Sequence, residues 1–189
     1  MNLDLQLIAM NIFNTCLANN IKLDVQWIPR TWNEQADFIS RLIDPDDWGV
    51  SQQLVQLIND SRGPLSVDCF ACFYNAKLPK FFSRCWNPGT AGVDAFGQNW
   101  ENENCLPVPP VAFIPSVLRH LHLCKGKGAL VCPFWVSSSF WPLLWSCYRE
   151  CIKGGFIVEG SQVLQLGRNS IFGSSSFREN IRVVYLDCL

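Results

Sequence analysis

The chain has no surplus of positive charge. Its 15 Lys and Arg stand against 16 Asp and Glu over 189 residues, a formal net charge of −1. That excludes a globally basic nucleic-acid binder, so any contact with phosphate must come from a local patch. No leader segment is expected either: Met1-Asn-Leu-Asp-Leu-Gln6 has neither a basic stretch nor a continuous apolar run. The ten cysteines are therefore expected as reduced, mostly buried thiols of an intracellular protein, cytoplasmic or nuclear, and not as a disulfide framework. No phosphate loop is present, because Lys125-Gly-Lys-Gly128 lacks the Gly-Lys-Ser/Thr ending and reads as a basic turn. Ser137-Ser-Ser139 has no base that residue order places beside it, which leaves no hydrolase triad.

Charge is also absent between Lys127 and Arg149, a length that could span a bilayer. Pro133, Pro142, the three serines and Trp135, Trp141 and Trp145 instead divide it into a buried strand, a loop and a short helix, with no membrane contact expected. What the chain does have is apolar material: 49% hydrophobic and 13% aromatic residues suffice for a folded core.

Apolar residues at Leu5, Ile8, Ile12, Phe13 and Cys16 predict a helix over 3–18, stopped at Asn19-Asn20. Strict alternation through Ile21, Leu23, Val25 and Trp27 predicts a half-buried strand. Asn33 then caps a helix whose first turn holds Glu34 and Asp37. Asp44-Pro-Asp-Asp47 has three acids but no calcium-loop spacing, and reads as a solvated linker. A short amphipathic helix over 50–58 follows, and residues 59–64 read as a domain boundary.

Leu65-Ser-Val-Asp-Cys-Phe-Ala71 predicts a short buried strand with Asp68 at its carboxyl end, where open α/β sheets bind ligands. A helix is expected over 78–86 with Phe81, Phe82 and Trp86 in the core, then a short strand ending in Asp94. A strand at 104–113 runs into Pro109-Pro110, followed by a helix to Leu123, a strand over 128–135 and a helix over 140–151. Strands at 156–158, 163–166 and 181–186 close the chain. Strands alternating with helices indicate an α/β sheet.

Two resemblances give this pattern a function. Trp27-Ile-Pro-Arg-Thr-Trp-Asn-Glu-Gln-Ala-Asp-Phe-Ile-Ser-Arg41, with its Asn33, Ala36 and Asp37 signature, resembles the end of a retroelement ribonuclease H domain. The resemblance implies that Asp37 is one of four carboxylates holding two Mg²⁺ ions in the parent enzyme. The chain holds no counterpart of the other three, so Asp37 alone cannot support that reaction, and Mg²⁺ belongs only to the intact parent.

Further on, Asp68-Cys-Phe-Ala71, Asn75-Ala-Lys77, Asp94, Trp100, Val108-Pro-Pro-Val111, Leu130-Val-Cys-Pro133 and Trp141 resemble, in order, the phage-type (Dam-like) DNA N6-adenine methyltransferases. Both segments in one chain resemble the C-terminal part of a DIRS-like, tyrosine-recombinase retrotransposon polyprotein. The resemblance implies an α/β chain in three parts. These are a ribonuclease H remnant (1–45), an acidic linker with a short helix (46–63), and a Rossmann-like, mostly parallel sheet with flanking helices (64–189). Asp68, Ala71 and Asp94 would hold S-adenosylmethionine. The family's Asn/Asp-Pro-Pro-Tyr/Phe motif accepts the target amine on a side chain and a backbone carbonyl and stacks the flipped base. Here Val108, Pro109, Pro110 and Val111 stand in its place, and valine neither accepts that hydrogen bond nor stacks a base. Losing one such interaction costs about 10²–10³-fold in rate, so no methylation is expected. Phe113 would supply a ring only after a local shift.

The expected partners are DNA or RNA of the element, approached through Lys77, Arg119, Lys125 and Lys127, and the upstream polymerase region. Cys69-Phe-Ala-Cys72 has zinc-ligand spacing, but its possible partners Cys147, Cys151, His120 and His122 complete no convincing site. His120 and His122 are two apart on a helix and point to different faces. No metal site is expected.

Overall fold

The computed structural model describes residues 3–32, 47–166, 170–175 and 177–189. Asn33, Ala36, Asp37 and the turn at 44–46 lie outside these residues. The chain divides into two compact units, Met1–Leu42 and Ile43–Leu189.

In the first unit the predicted helix forms as α1 (Leu3–Ala18). It ends where the Asn19 side chain bonds back to the Thr15 carbonyl at 2.8 Å and Asn20 adopts a positive φ of 54°. The strand expected over 21–27 does not form. The segment has no regular structure and no ladder partner among the described residues, and a single strand has no independent stability. Its apolar side chains stand in the open, Val25 at 80% and Trp27 at 85% exposure. Leu5, Ile8, Ile12, Phe13 and Leu17 of α1 are exposed too.

The second unit contains β1 (Trp48–Val50), α2 (Gln52–Arg62), β2 (Val67–Asp68), β3 (Phe82–Ser83), β4 (Gly92–Val93), β5 (Asn104–Leu106), α3 (Ile114–Leu123), β6 (Lys127–Pro133), β7 (Ile152–Val158), β8 (Val163–Gln165) and β9 (Ile181–Asp187). Five strands make the main sheet in the order β2-β5-β6-β9-β7. The pairs β2–β5 and β5–β6 are parallel, while β6–β9 and β9–β7 are antiparallel. The sheet is thus mixed, and the expectation of a mostly parallel one is corrected. Its two longest ladders are antiparallel because β9 returns from β7 without a long helical crossover, the connection that a parallel pair requires. β7 runs in the same direction as β2, β5 and β6. A parallel bridge between Asp68 and Phe81, with Asp68 N–H donating to Lys80 O (3.0 Å) and Ala71 N–H to Phe82 O (3.1 Å), sets β3 beside β2. β4 lies parallel to β3.

Period-two alternation buries both faces of this sheet. Leu130 and Cys132 of β6, with Val184 and Leu186 of β9, join Trp100 and the inner face of α3 in one core. Ala129 and Val131, with Val183 and Tyr185, join Trp48, Leu106, Val108 and α2 in the other. α3 buries Ile114, Val117, Leu118 and Leu121, as its periodicity predicts. α2 starts at Ser51, whose Oγ accepts the Leu54 N–H at 3.1 Å, and it buries Leu54, Val55 and Ile58. The stretch expected as a linker therefore contributes, from Trp48 on, to the second core.

Two predicted helices take other forms. Residues 78–86 contain β3, because the carbonyls of Phe81, Phe82 and Ser83 accept from Ala91, Ala71 and Asp94 on neighbouring segments. Pro79 also opposes a helix there. Phe81 and Phe82 are buried, but Trp86 is 76% exposed. Residues 140–151 form a helical turn (Phe140–Pro142), a wide π-type turn (Leu143–Cys147) and a 3₁₀ turn (Arg149–Cys151); Pro142 supplies no N–H to a regular ladder. Among the described residues, no helix is long and apolar enough to cross a membrane.

Candidate functional site

Parallel pairing of β2 with β5 puts Asp68 opposite Leu106, at the carboxyl ends of both strands. The Val108-Pro-Pro-Val111 turn begins two residues farther on, so the structure brings Asp68 and the Pro-Pro turn to one edge of the sheet. Asp68 is 4% exposed. Burial pushes its carboxyl up from 3.8 to about 6, against the pull of the Lys77 and Phe70 N–H groups and the Lys77 charge. The Lys77 N–H donates to its Oδ2 at 3.0 Å.

Most backbone donors of the loop after β2 are already satisfied by other protein groups. Cys69 N–H donates to Leu106 O, Ala71 N–H to Phe82 O, and Asn75 and Ala76 N–H to Cys72 O. Cys72 N–H reaches Asn75 Oδ1 at 2.6 Å, and Phe73 N–H reaches Asn87 Oδ1 at 3.0 Å. Ala71 is buried. Asp94 is exposed at the end of β4, with φ 57° and ψ 104°. Its Oδ1 accepts the Phe96 N–H at 3.1 Å and so caps the turn Ala95–Gly97.

The Pro-Pro turn is filled from inside the unit. Val108 is 6% exposed and packs in the second core with Leu106, Ala129 and Trp48. The carbonyl of Pro109 accepts the indole N–H of Trp48 at 3.2 Å in a buried contact. That indole stacks on Phe172 at 4.6 Å, and Phe172 stacks on Trp135 at 5.7 Å. Pro110 and Val111 are half-buried. Phe113 is 47% exposed and lies edge-on to Phe96, 6.1 Å between ring centres, so it does not take the place of a stacking ring at position 111. Sequence reasoning missed Trp48, whose only signal was a tryptophan beside an acidic turn.

Of the expected cations, Arg119 is exposed on α3, and Lys125 and Lys127 are exposed on either side of the turn into β6. Lys77 is half-buried on the separate loop closed by Asp68. Lys127 faces Asp187 across the β6–β9 ladder, which moderates the local positive charge.

Cys69 and Cys72 do not act as a pair. Cys69 is buried in the first core, and burial together with Cys105 pushes its thiol well above the ordinary range. Cys72 is half-buried beside Tyr74. His120 and His122 diverge: Nε2 of His120 meets the Gln98 carbonyl at 2.9 Å, while His122 faces Tyr148 and Cys151. Two open depressions, of about 440 and 430 Å³, lie elsewhere. One is lined by Ile12, Phe13, Leu17 and Ile21 of the first unit, the other by Leu57, Val158 and Gln162 of the second. Compared with protein-family models, curated proteins and solved structures, the chain gives no match.

Proposed function

We propose that the chain is a non-catalytic part of a retrotransposon polyprotein that associates with the element's nucleic acid. In this reading its larger unit descends from a DNA adenine methyltransferase and its first from a ribonuclease H. The filled Pro-Pro turn carries this reading. Methylating an exocyclic amine needs an acceptor side chain and a free backbone carbonyl at the flipped base. Here the side chain is a buried valine, and the Pro109 carbonyl is taken by Trp48.

The order of strands supports the ancestry. Counted from β2 as first, the row β4-β3-β2-β5-β6 reads third, second, first, fourth, fifth, and β7 follows as sixth beyond the reversed β9. In this reading the row corresponds to a Rossmann-type order, in which the sequence of strands reverses between first and fourth, and such a switch point is where ligands bind. Asp68 and Val108-Pro-Pro-Val111 flank it. The exposed apolar side chains of α1 and of residues 21–27 fit a fragment whose remaining sheet belongs to the upstream part of the polyprotein.

The test is binding of the full chain to a single- or double-stranded oligonucleotide by fluorescence anisotropy at several salt concentrations. Arg119, Lys125 and Lys127 predict a logarithmic salt slope of about −2 to −3, near zero in the triple alanine variant. No binding at low salt, or binding indifferent to the triple change, would sink the proposal. A live S-adenosylmethionine-dependent methyltransferase is the second reading. What favours it is Asp68, a buried carboxyl kept at the switch point at a cost to stability.

A further inference from the structure

We propose that His122, Cys151 and Cys188 form a zinc site at the edge of the sheet opposite the Pro-Pro turn. Their ligand atoms all lie within 4.8 Å of one another, and His122 Nδ1 is 3.9 Å from Cys151 Sγ. Zn–S bonds of about 2.3 Å and Zn–N bonds of about 2.0 Å in tetrahedral geometry place ligand atoms roughly 3.5–3.8 Å apart. Closing onto a metal therefore needs shifts of about 1 Å or less, within reach of side-chain rotation.

Topology makes this meeting. His122 is in the last turn of α3, just before β6, and Cys151 immediately precedes β7. Cys188 immediately follows β9, which runs against both strands and so ends where they begin: Lys127 is opposite Asp187, and Ile152 opposite Leu186. Backbone bonds hold the two cysteines. Cys188 N–H donates to Gly126 O and Cys151 N–H to Tyr148 O, each at 3.0 Å. The Tyr148 ring lies edge-on to the His122 imidazole, with centres 5.8 Å apart. Among the described residues this is the one group of three potential ligands of this kind.

The donor set selects the ion. Two thiolates and an imidazole suit a borderline-soft divalent cation, which favours zinc over magnesium or calcium. Binding releases two thiol protons to solvent, and Zn²⁺ with two thiolates leaves the site without net charge. His122 is exposed and gives the ion an entrance, while Cys151 is buried. A water molecule completes four-coordination. The site ties the end of α3, the turn before β7 and the end of β9 together, and so acts as a staple far from the Pro-Pro turn. It does not depend on the function proposed above.

The test is cobalt(II) titration of the full, fully reduced chain, followed by displacement with zinc. The expected result is one cobalt per chain, with thiolate charge-transfer absorption, tetrahedral d–d bands that zinc abolishes, and a higher melting temperature with metal. Cys188→Ser and His122→Ala should each weaken binding beyond the about 10–100-fold that loss of an outer hydrogen-bond partner costs. Cys85→Ser, at an exposed thiol elsewhere, should change nothing. No thiolate–cobalt spectrum from the reduced, natively folded chain would overturn the proposal. So would a spectrum that survives Cys188→Ser or is lost in Cys85→Ser.

Discussion

Replacing Asp68 by Asn should make the protein more stable at neutral pH, a result opposite to that usual for a buried polar residue. The carboxyl titrates near 6 in the fold against 3.8 ordinarily. The native state therefore holds its proton more tightly than the unfolded chain, and stability falls as pH rises from about 4 to about 6 and is level above. Two pKa units at about 1.4 kcal/mol each make this roughly 3 kcal/mol. Asn stays neutral and keeps an acceptor for the Lys77 N–H. It gives up an acceptor for the Phe70 N–H, at about 1 kcal/mol. The balance is a gain of about 2 kcal/mol at pH 7.5 that turns into a loss of about 1 kcal/mol at pH 4. Urea denaturation of both proteins at pH 4, 5, 6 and 7.5 measures it. A variant less stable than wild type at pH 7.5, or a difference that does not change with pH, would mean that burial does not hold the Asp68 proton.

Trp48→Phe keeps the stack on Phe172 but leaves the buried Pro109 carbonyl without its donor, which should cost about 1–3 kcal/mol in the same denaturation experiment. An unchanged midpoint would mean that the indole N–H does not hold the turn. Gly155→Ala should cost at least about 2 kcal/mol. Its φ is 150°, and a Cβ there would come within 2.1 Å of the Val183 carbonyl on β9; native stability in this variant would contradict the β7–β9 register. Val108→Asn should lower stability by about 1–3 kcal/mol, since the amide enters an apolar core. An unaltered melting temperature would place Val108 outside that core.

Much of this could be read from the residues. Helical periods located α1, α2 and α3, and the apolar runs located β6 and β9; α2, α3, β6 and β9 each bury a face, which carries a strong pattern, whereas α1 keeps its helical period with its apolar side chains exposed. Failures came where partners decide. Residues 21–27 alternate like a strand yet have no ladder partner among the described residues, and 78–86 has helix-like aromatics whose backbone is claimed by neighbouring segments. The reversal of β9 leaves no local trace, and with it went the juxtaposition of Cys188 with Cys151 and His122. The valines of the Pro-Pro turn were visible as substitutions. That an indole from β1 covers the carbonyl between them was not, since the contact spans 61 positions.

The central claim is that the Pro-Pro turn is chemically silent. Its most direct test is transfer of labelled methyl groups from S-adenosylmethionine to adenine in unmethylated DNA by the full chain, with Asp68→Asn as a folded control. Wild type and control should both stay at the no-protein background. Adenine methylation by the wild type that disappears in Asp68→Asn would contradict the claim, and would mean that a valine-lined turn still accepts a base.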